Sequence, residues 1–387
     1  MFALSVAETT KSTTLQCRRR FLFSLQLTVF AQLGRIAAFS YHKCDSTSRA
    51  HFAFAAQHDK NILLNNAQTD FEMKDLDPNP EGKFKNPDIT AKGEARAKVT
   101  LSNPETLWFN TGTLCNITCA NCYIESSPTN DALLYLKSDE VLPYLDQLEQ
   151  RAWDVREIGF TGGEPFMNPQ IIQMLKISLT RGYEVLVLTN AMAPMMRPAM
   201  QAGLTELIEC YGDKLTFRIS LDHHRAAVHD AERGKGAFQK TVKGINWLAG
   251  IGARLAIAGR IEMAESEAEA RAGYAALYAT YGWDIDAHNL GTTVLFPEMD
   301  VQVDVPEITT GCWTILNKRP EDVMCASSRM VVKRKGSDAP TVLACTLLPY
   351  DARFDLGATL AEAETDVSLN HPHCAKFCVL GGASCSG

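Results

Sequence analysis

Residues 112–128 read "GTLCNITCANCYIESSP" and put three cysteines, Cys115, Cys119 and Cys122, inside eight positions, with the aromatic Tyr123 next in line. A 4Fe-4S cubane has four irons and is normally held by four thiolates, so a C-x3-C-x2-C loop that offers three leaves one iron open to a small-molecule ligand. Zinc is the competing reading. A structural zinc wants a closed four-ligand shell and no fourth Cys or His lies nearby in sequence, whereas a catalytic zinc on three thiolates needs no fourth protein ligand.

The rest of the composition narrows the setting. With 387 residues, 46% of them hydrophobic, the chain can bury a large core without disulfide staples, and its length fits one large domain with appendages or two domains. The formal net charge of −7, an isoelectric point near 5.8 and the lack of a long Lys/Arg block do not favour wrapping a nucleic-acid backbone. Of twelve cysteines, Cys17, Cys44 and Cys210 stand alone and read as small buried hydrophobes. Cys312 stands near a second group, Cys325, Cys345, Cys374, Cys378 and Cys385, and is a spare ligand or a bystander. Clustered cysteines in a long enzyme-like chain point to metal or iron-sulfur sites in a reducing compartment, hence a cytoplasmic location.

Residues 1–72 differ in character from the remainder of the chain: "RRR" at 18–20 precedes the apolar "FLFSLQLTVFAQL", like a signal or transit peptide. That run is too short, and too interrupted by Gln26 and Gln32, to span a membrane. We read residues 1–72 as a poorly ordered extension or sequence upstream of a start at Met73, since export would remove an iron-sulfur protein from reducing conditions. Residues 73–104 read as an extended lead-in.

From about residue 105, short apolar runs alternate with helical periodicity, the pattern of βα repeats and a parallel sheet. Strands are expected at 106–112, 156–162, 184–190, 214–221, 253–261 and 287–296. Between them, Asn168-Pro169 reads as a helix start, Phe238, Val242, Ile245 and Leu248 as a buried helical stripe, and Ser266 with Glu269 as a capping box. Barrels of βα units place their sites at the C-terminal ends of strands.

The loop and the motifs after it resemble the radical S-adenosylmethionine (radical SAM) superfamily, from about residue 105 to the C-terminus. "FTGGEP" at 160–165 resembles the family's glycine-rich turn, which assigns Gly162, Gly163, Glu164 and Pro165 to the cofactor's methionine amine. "RISLDHHRAAVHDAERGKGAF" at 218–238 is similar to the fourth-strand segment of the peptide-modifying and sulfatase-maturing branches. That similarity implies Ser220 and Arg233 at the cofactor carboxylate or ribose and Asp222 shaping the turn, with His223 where the family often has Gly. His223, His224 and His229 are proton-donor candidates or turn residues, and Thr189-Asn190 resembles an adenosine-side turn. Tyr123 belongs to the family's cysteine loop.

The resemblance implies a fold and a chemistry. The fold is α/β, a partial (β/α)6 radical SAM barrel over residues 105–297 with a small C-terminal cysteine-rich α+β extension over 298–387, similar to SPASM or twitch domains. The chemistry is one-electron reductive cleavage of S-adenosylmethionine on the 4Fe-4S cluster to a 5'-deoxyadenosyl radical, which abstracts hydrogen from a substrate. Cys325, Cys345, Cys374 and Cys378 would hold a second, auxiliary 4Fe-4S cluster, with Cys385 able to replace one of them and a zinc knot as the alternative. The implied substrate is a peptide or protein side chain, and the implied reductant is a flavodoxin or ferredoxin, with no nucleic acid and no membrane. The alternatives are a small-molecule or cofactor-biosynthesis enzyme resembling the molybdopterin-precursor cyclase, and a non-catalytic iron-sulfur electron carrier. No catalytic acid or base can be named.

Overall fold

All six expected strands form, and among the described residues they belong to one mixed sheet of eight strands. A computed structural model describes residues 82–151, 153–262, 265–297 and 304–381, and Lys83–Gly387 is one unit of the chain. The expectations for residues 1–72, and for Cys17, Cys44 and Cys385, lie outside the described residues. Strands β2 (Thr106–Asn110), β3 (Glu157–Thr161), β4 (Glu184–Thr189), β5 (Leu215–Ser220), β6 (Arg254–Ile261) and β7 (Thr293–Pro297) pair in parallel, in sequence order. Helices α1 (Ser138–Arg151), α2 (Ile171–Thr180), α3 (Pro198–Tyr211), α4 (Ala226–Arg233), α5 (Ala237–Gly250) and α6 (Glu267–Tyr281) connect them. On the other edge, β8 (Ser328–Val332) pairs in parallel with β2 and antiparallel with β9 (Thr341–Leu343). These two strands form a hairpin that extends the barrel sheet, a pairing that its local sequence could not reveal.

Side chains alternate across the sheet. Leu107, Phe109, Phe160, Val187, Phe217 and Ile219 face the helices, while Trp108, Leu186, Leu188 and Met330 face the barrel interior. Trp108 lies over Gly159, where a Cβ would come within 2.3 Å of the indole, so glycine is required for the ring to close the barrel floor. The lead-in strand β1 (Lys98–Val99) pairs with β10 (Val367–Ser368), and buried Arg96 bonds Glu307 and the Asn86 carbonyl there.

Two local readings shift. Helix α2 starts at Ile171, with Gln170 as N-cap. Asn168 is buried, and its amide donates to the Thr111 and Leu136 carbonyls at 3.1 and 2.8 Å, which ties the turn to the strand ends. The last strand begins at Thr293 because the Asn289 side chain accepts the Gly291 and Thr292 N–H groups and bends the backbone out of register. The Ser266–Glu269 capping box forms as read. Among the described residues no helix is long and apolar enough to cross a membrane.

Candidate active site at the strand ends

The cysteine loop follows β2 and lies across the C-terminal ends of the neighbouring strands. It is held by long-range contacts: Cys115 N–H donates to Ser127 O, Ala120 N–H to Glu232 O, Arg260 to Asn121 O and the Tyr350 hydroxyl to Ile124 O. The GGEP turn packs directly on it. A Cβ on Gly163 would stand 2.3 Å from Leu114 O, and one on Gly162, which has φ +144°, would stand 2.6 Å from Gly112 O. These glycines therefore serve first to let β3 approach the cysteine loop, where the sequence suggested close approach of a ligand.

Glu164 is buried and turned inward. Its carboxylate accepts from Thr189 Oγ1 (2.8 Å), Asn190 N–H (2.9 Å) and Phe166 N–H (3.2 Å), and so joins the turn after β3 to the turn after β4. Burial raises its carboxyl to about 7, against the lowering effect of those donors. Asn190 is fixed further by Thr241, which donates to its carbonyl, and by α5, where Gly244 leaves no room for a Cβ against Ala191 O. The Asn190 amide donates to Asn116 Oδ1 at 3.0 Å and to Cys115 Sγ at 3.9 Å, while Ser126 N–H donates to Cys122 Sγ at 3.3 Å.

Together these strand ends surround a cavity of about 190 Å3. Among the residues singled out from sequence, Cys115, Cys119, Cys122, Tyr123, Gly162 and Gly163 line it, as do Asn190, Ser220, Asp222, Arg233 and Cys378. Glu164 and Pro165 do not, and neither do Cys325, Cys345 and Cys374. The sequence reading missed Arg260, Ser126 and Phe296 in this wall, although Arg260 and Phe296 stand at the ends of strands already drawn, which was the available signal. Arg233 grips Asp222 bidentately at 2.6 and 3.0 Å, and Arg260 stands 3.6 Å from the same carboxylate. Burial would raise the Asp222 carboxyl, but the guanidiniums of Arg233 and Arg260 outweigh it and hold the group below its ordinary value.

The three histidines are buried or half-buried and do not line the cavity. His229 Nδ1 accepts the Asp222 N–H, and burial drops its ring to about 4. His223 Nδ1 accepts the Arg225 N–H, which leaves its Nε2 proton for Glu265 at 2.9 Å. His223 keeps a negative φ, so the position needs no glycine.

The donor sets can be tested for what they hold. Burial pushes the Cys115 thiol up to about 12 and also raises Cys119, so three thiolates here need a strong counter-charge such as a bound metal group. Ser126 Oγ, buried in the cavity wall, has no hydrogen-bond partner among the described residues. A tetrahedral zinc with Zn–S near 2.3 Å would bring its sulfurs to about 3.8 Å of one another. Among the described residues, the one group of potential ligand atoms all within 4.8 Å is His223, His224 and Glu265, so the sulfurs of neither cysteine set are gathered that tightly. In a cubane each thiolate binds its own iron, which suits the wider spacing.

Cys325, Cys345, Cys374 and Cys378 converge on a second cavity of about 20 Å3 with Val323, Leu348, Phe354 and Leu369. Cys374 and Cys378 sit on one π-helical segment, Cys374–Leu380, and Cys378 also reaches the larger cavity. Cys312 packs at the edge of this core, takes the Thr309 N–H on its sulfur and lines neither cavity.

The fold is of the α/β class, a parallel βα sheet with a three-cysteine loop across its strand ends. Residues 109–260 match the family model of the radical SAM superfamily, so that stretch of the chain carries a radical SAM domain. It is 36% identical over 146 residues to the antilisterial bacteriocin subtilosin biosynthesis protein AlbA of Bacillus subtilis, covering 37% of this chain and 30% of that protein. It is 26% identical over 138 residues to the mycofactocin maturase MftC of Mycobacterium tuberculosis, covering 36% and 32%. The chain thus spans about a third of the length of the curated relatives it matches. The crystal structure of Streptococcus suis SuiB bound to S-adenosylmethionine overlaps with a TM-score of 0.49 at 13% identity, over 66% of this chain and 64% of that one.

Proposed function

We propose that this chain is a radical SAM enzyme acting on a peptide or protein side chain. In this reading Cys115, Cys119 and Cys122 hold a 4Fe-4S cluster, and S-adenosylmethionine occupies the cavity beside it. One observation carries the proposal: the three cysteines line the same strand-end cavity as Gly162, Gly163, Ser220, Asp222 and Arg233. When bound, the cluster and cofactor supply a one-electron cleavage that yields 5'-deoxyadenosine once hydrogen has been taken from the substrate.

The chain's own residues bind and orient. Asp222 holds Arg233 with its guanidinium at the cavity wall, and Arg260 ties that wall to the cysteine loop through Asn121 O. Ser126 Oγ and Ser220 offer neutral hydrogen bonds to a bound cofactor. Glu164 holds the turns of β3 and β4 together behind the site. Met324, Leu347 and Phe377 add an apolar wall from the C-terminal segment, which favours dry surroundings for a reactive group. The peptide assignment draws support from AlbA, a bacteriocin biosynthesis protein by name, with 36% identity.

We assign a second, auxiliary cluster to Cys325, Cys345, Cys374 and Cys378, supported by their shared cavity and by a spacing wider than one zinc ion needs. A flavodoxin or ferredoxin in the cytoplasm is the reductant this chemistry calls for. The test is 5'-deoxyadenosine formation from S-adenosylmethionine by anaerobically reconstituted, dithionite-reduced protein. Product from the wild type and none from Cys119→Ala is expected. Equal product from both would overturn the assignment of the loop.

A further inference from the structure

Arg329 on β8 is 1% exposed and lies beside the second cysteine set. Its guanidinium donates to four backbone carbonyls: Cys325 O at 2.5 Å, Ser328 O and Ala363 O at 2.9 Å, and Thr365 O at 3.4 Å. Two other buried arginines each hold a carboxylate: Arg96 has Glu307 and Arg271 has Glu267. Among the described residues no carboxylate pairs with Arg329, and the charged groups that act on it are Cys325 and Cys345. Carbonyl dipoles satisfy its N–H groups but do not cancel its charge, and a guanidinium cannot shed its proton to escape the cost of burial. Protonated thiols would leave that charge uncompensated.

We propose that Arg329 is the fixed counter-charge of an anionic metal–thiolate centre on Cys325, Cys345, Cys374 and Cys378, a positioning residue that raises the centre's reduction potential. The inference rests on the auxiliary-cluster reading above. A cluster ligated by four thiolates carries net negative charge that grows on reduction, so a buried cation in contact with a ligand's own backbone favours the reduced form. The carbonyl of Cys325 is such a contact. The arrangement also accounts for the local fold, because the same guanidinium ties β8 to the 363–365 segment that leads into β10.

The test is an EPR-monitored redox titration of the full chain with Cys115, Cys119 and Cys122 replaced by alanine, so that only the second centre reports. Arg329→Met is expected to move the midpoint to a more negative potential, and Arg329→Lys, which keeps the charge, to stay much closer to the parent. A Met variant with full iron content and the parent's midpoint would overturn the proposal. So would a Lys variant that shifts as far as Met, since that would assign the effect to hydrogen bonding and not to charge. If the Met chain fails to fold, judged by loss of the loop cluster when that cluster is left intact, Arg329→Gln takes its place in the comparison. Absence of iron at the second set in the parent is a different result, one that overturns the auxiliary-cluster reading itself.

Discussion

Cys115, Cys119 and Cys122 face a cavity of about 190 Å3 that also presents Asp222, Arg233 and Arg260, whereas Cys325, Cys345, Cys374 and Cys378 surround about 20 Å3 among aliphatic and aromatic side chains. The first set has room and polar groups for a ligand beyond its metal. The second has little room and an apolar lining, and on our proposal its compensating charge comes from a guanidinium held on backbone carbonyls. On the proposed reading, similar cysteine content serves two purposes: a roomy, polar centre at which a small molecule can react, and a confined, apolar one suited to anchoring the fold or passing electrons. Cys378, which reaches both cavities, is the point where the two meet.

That contrast can be broken by substitution. The largest effect is expected at the cysteines: alanine at Cys115, Cys119 or Cys122 should abolish 5'-deoxyadenosine formation, measured chromatographically. Alanine at Cys325, Cys345 or Cys374 should cost iron and thermal stability while uncoupled cofactor cleavage persists. Next in size, Arg233→Met strips the buried Asp222 carboxylate of its bidentate partner, leaving only the more distant Arg260, and should destabilise the protein by about 3 kcal/mol, read by chemical denaturation. Gly163→Ala should cost about 1–3 kcal/mol by overpacking and also lower iron retention, since the new Cβ would press on Leu114 O inside the cysteine loop.

Stability should also depend on pH through His229. Its ring titrates at about 4 when folded against an ordinary value of 6.5, so the unfolded chain takes up a proton first. The stability it confers is complete above pH 6.5 and falls as pH drops toward 4, by on the order of 3 kcal/mol. Glu164, whose carboxyl is raised to about 7, acts in the opposite sense over the same range, so the His229 contribution is read as the difference between the denaturation curves of wild type and His229→Gln, which should widen as pH falls from neutral. The smallest effect is expected at Asn190: Asn190→Leu removes the N–H donor to Cys115 Sγ and should shift the loop centre's midpoint to a more negative potential without loss of iron.

Local patterns made much of this legible. The strand runs other than the last, the Ser266–Glu269 box and the stripe through Phe238 and Ile245 are each written within a few neighbouring residues, and each appears where its pattern puts it. What escaped depends on residues far apart in the chain. The pairing of β8 with β2, the Arg260 bond to Asn121 O and the Tyr350 bond to Ile124 O each join segments separated by more than a hundred positions. Glu164 illustrates the limit: its motif marks it as functional, yet only the fold shows its carboxylate turned toward Thr189 and Asn190. Arg329 sits in an apolar strand that gives no sign of a cysteine set beside it.

The most direct test of this two-centre account is the EPR spectrum of the reduced chain carrying alanine at Cys325, Cys345, Cys374 and Cys378, recorded with and without S-adenosylmethionine. The account predicts a cluster signal from the loop set whose g values change when the cofactor is added. A signal indifferent to the cofactor would contradict it.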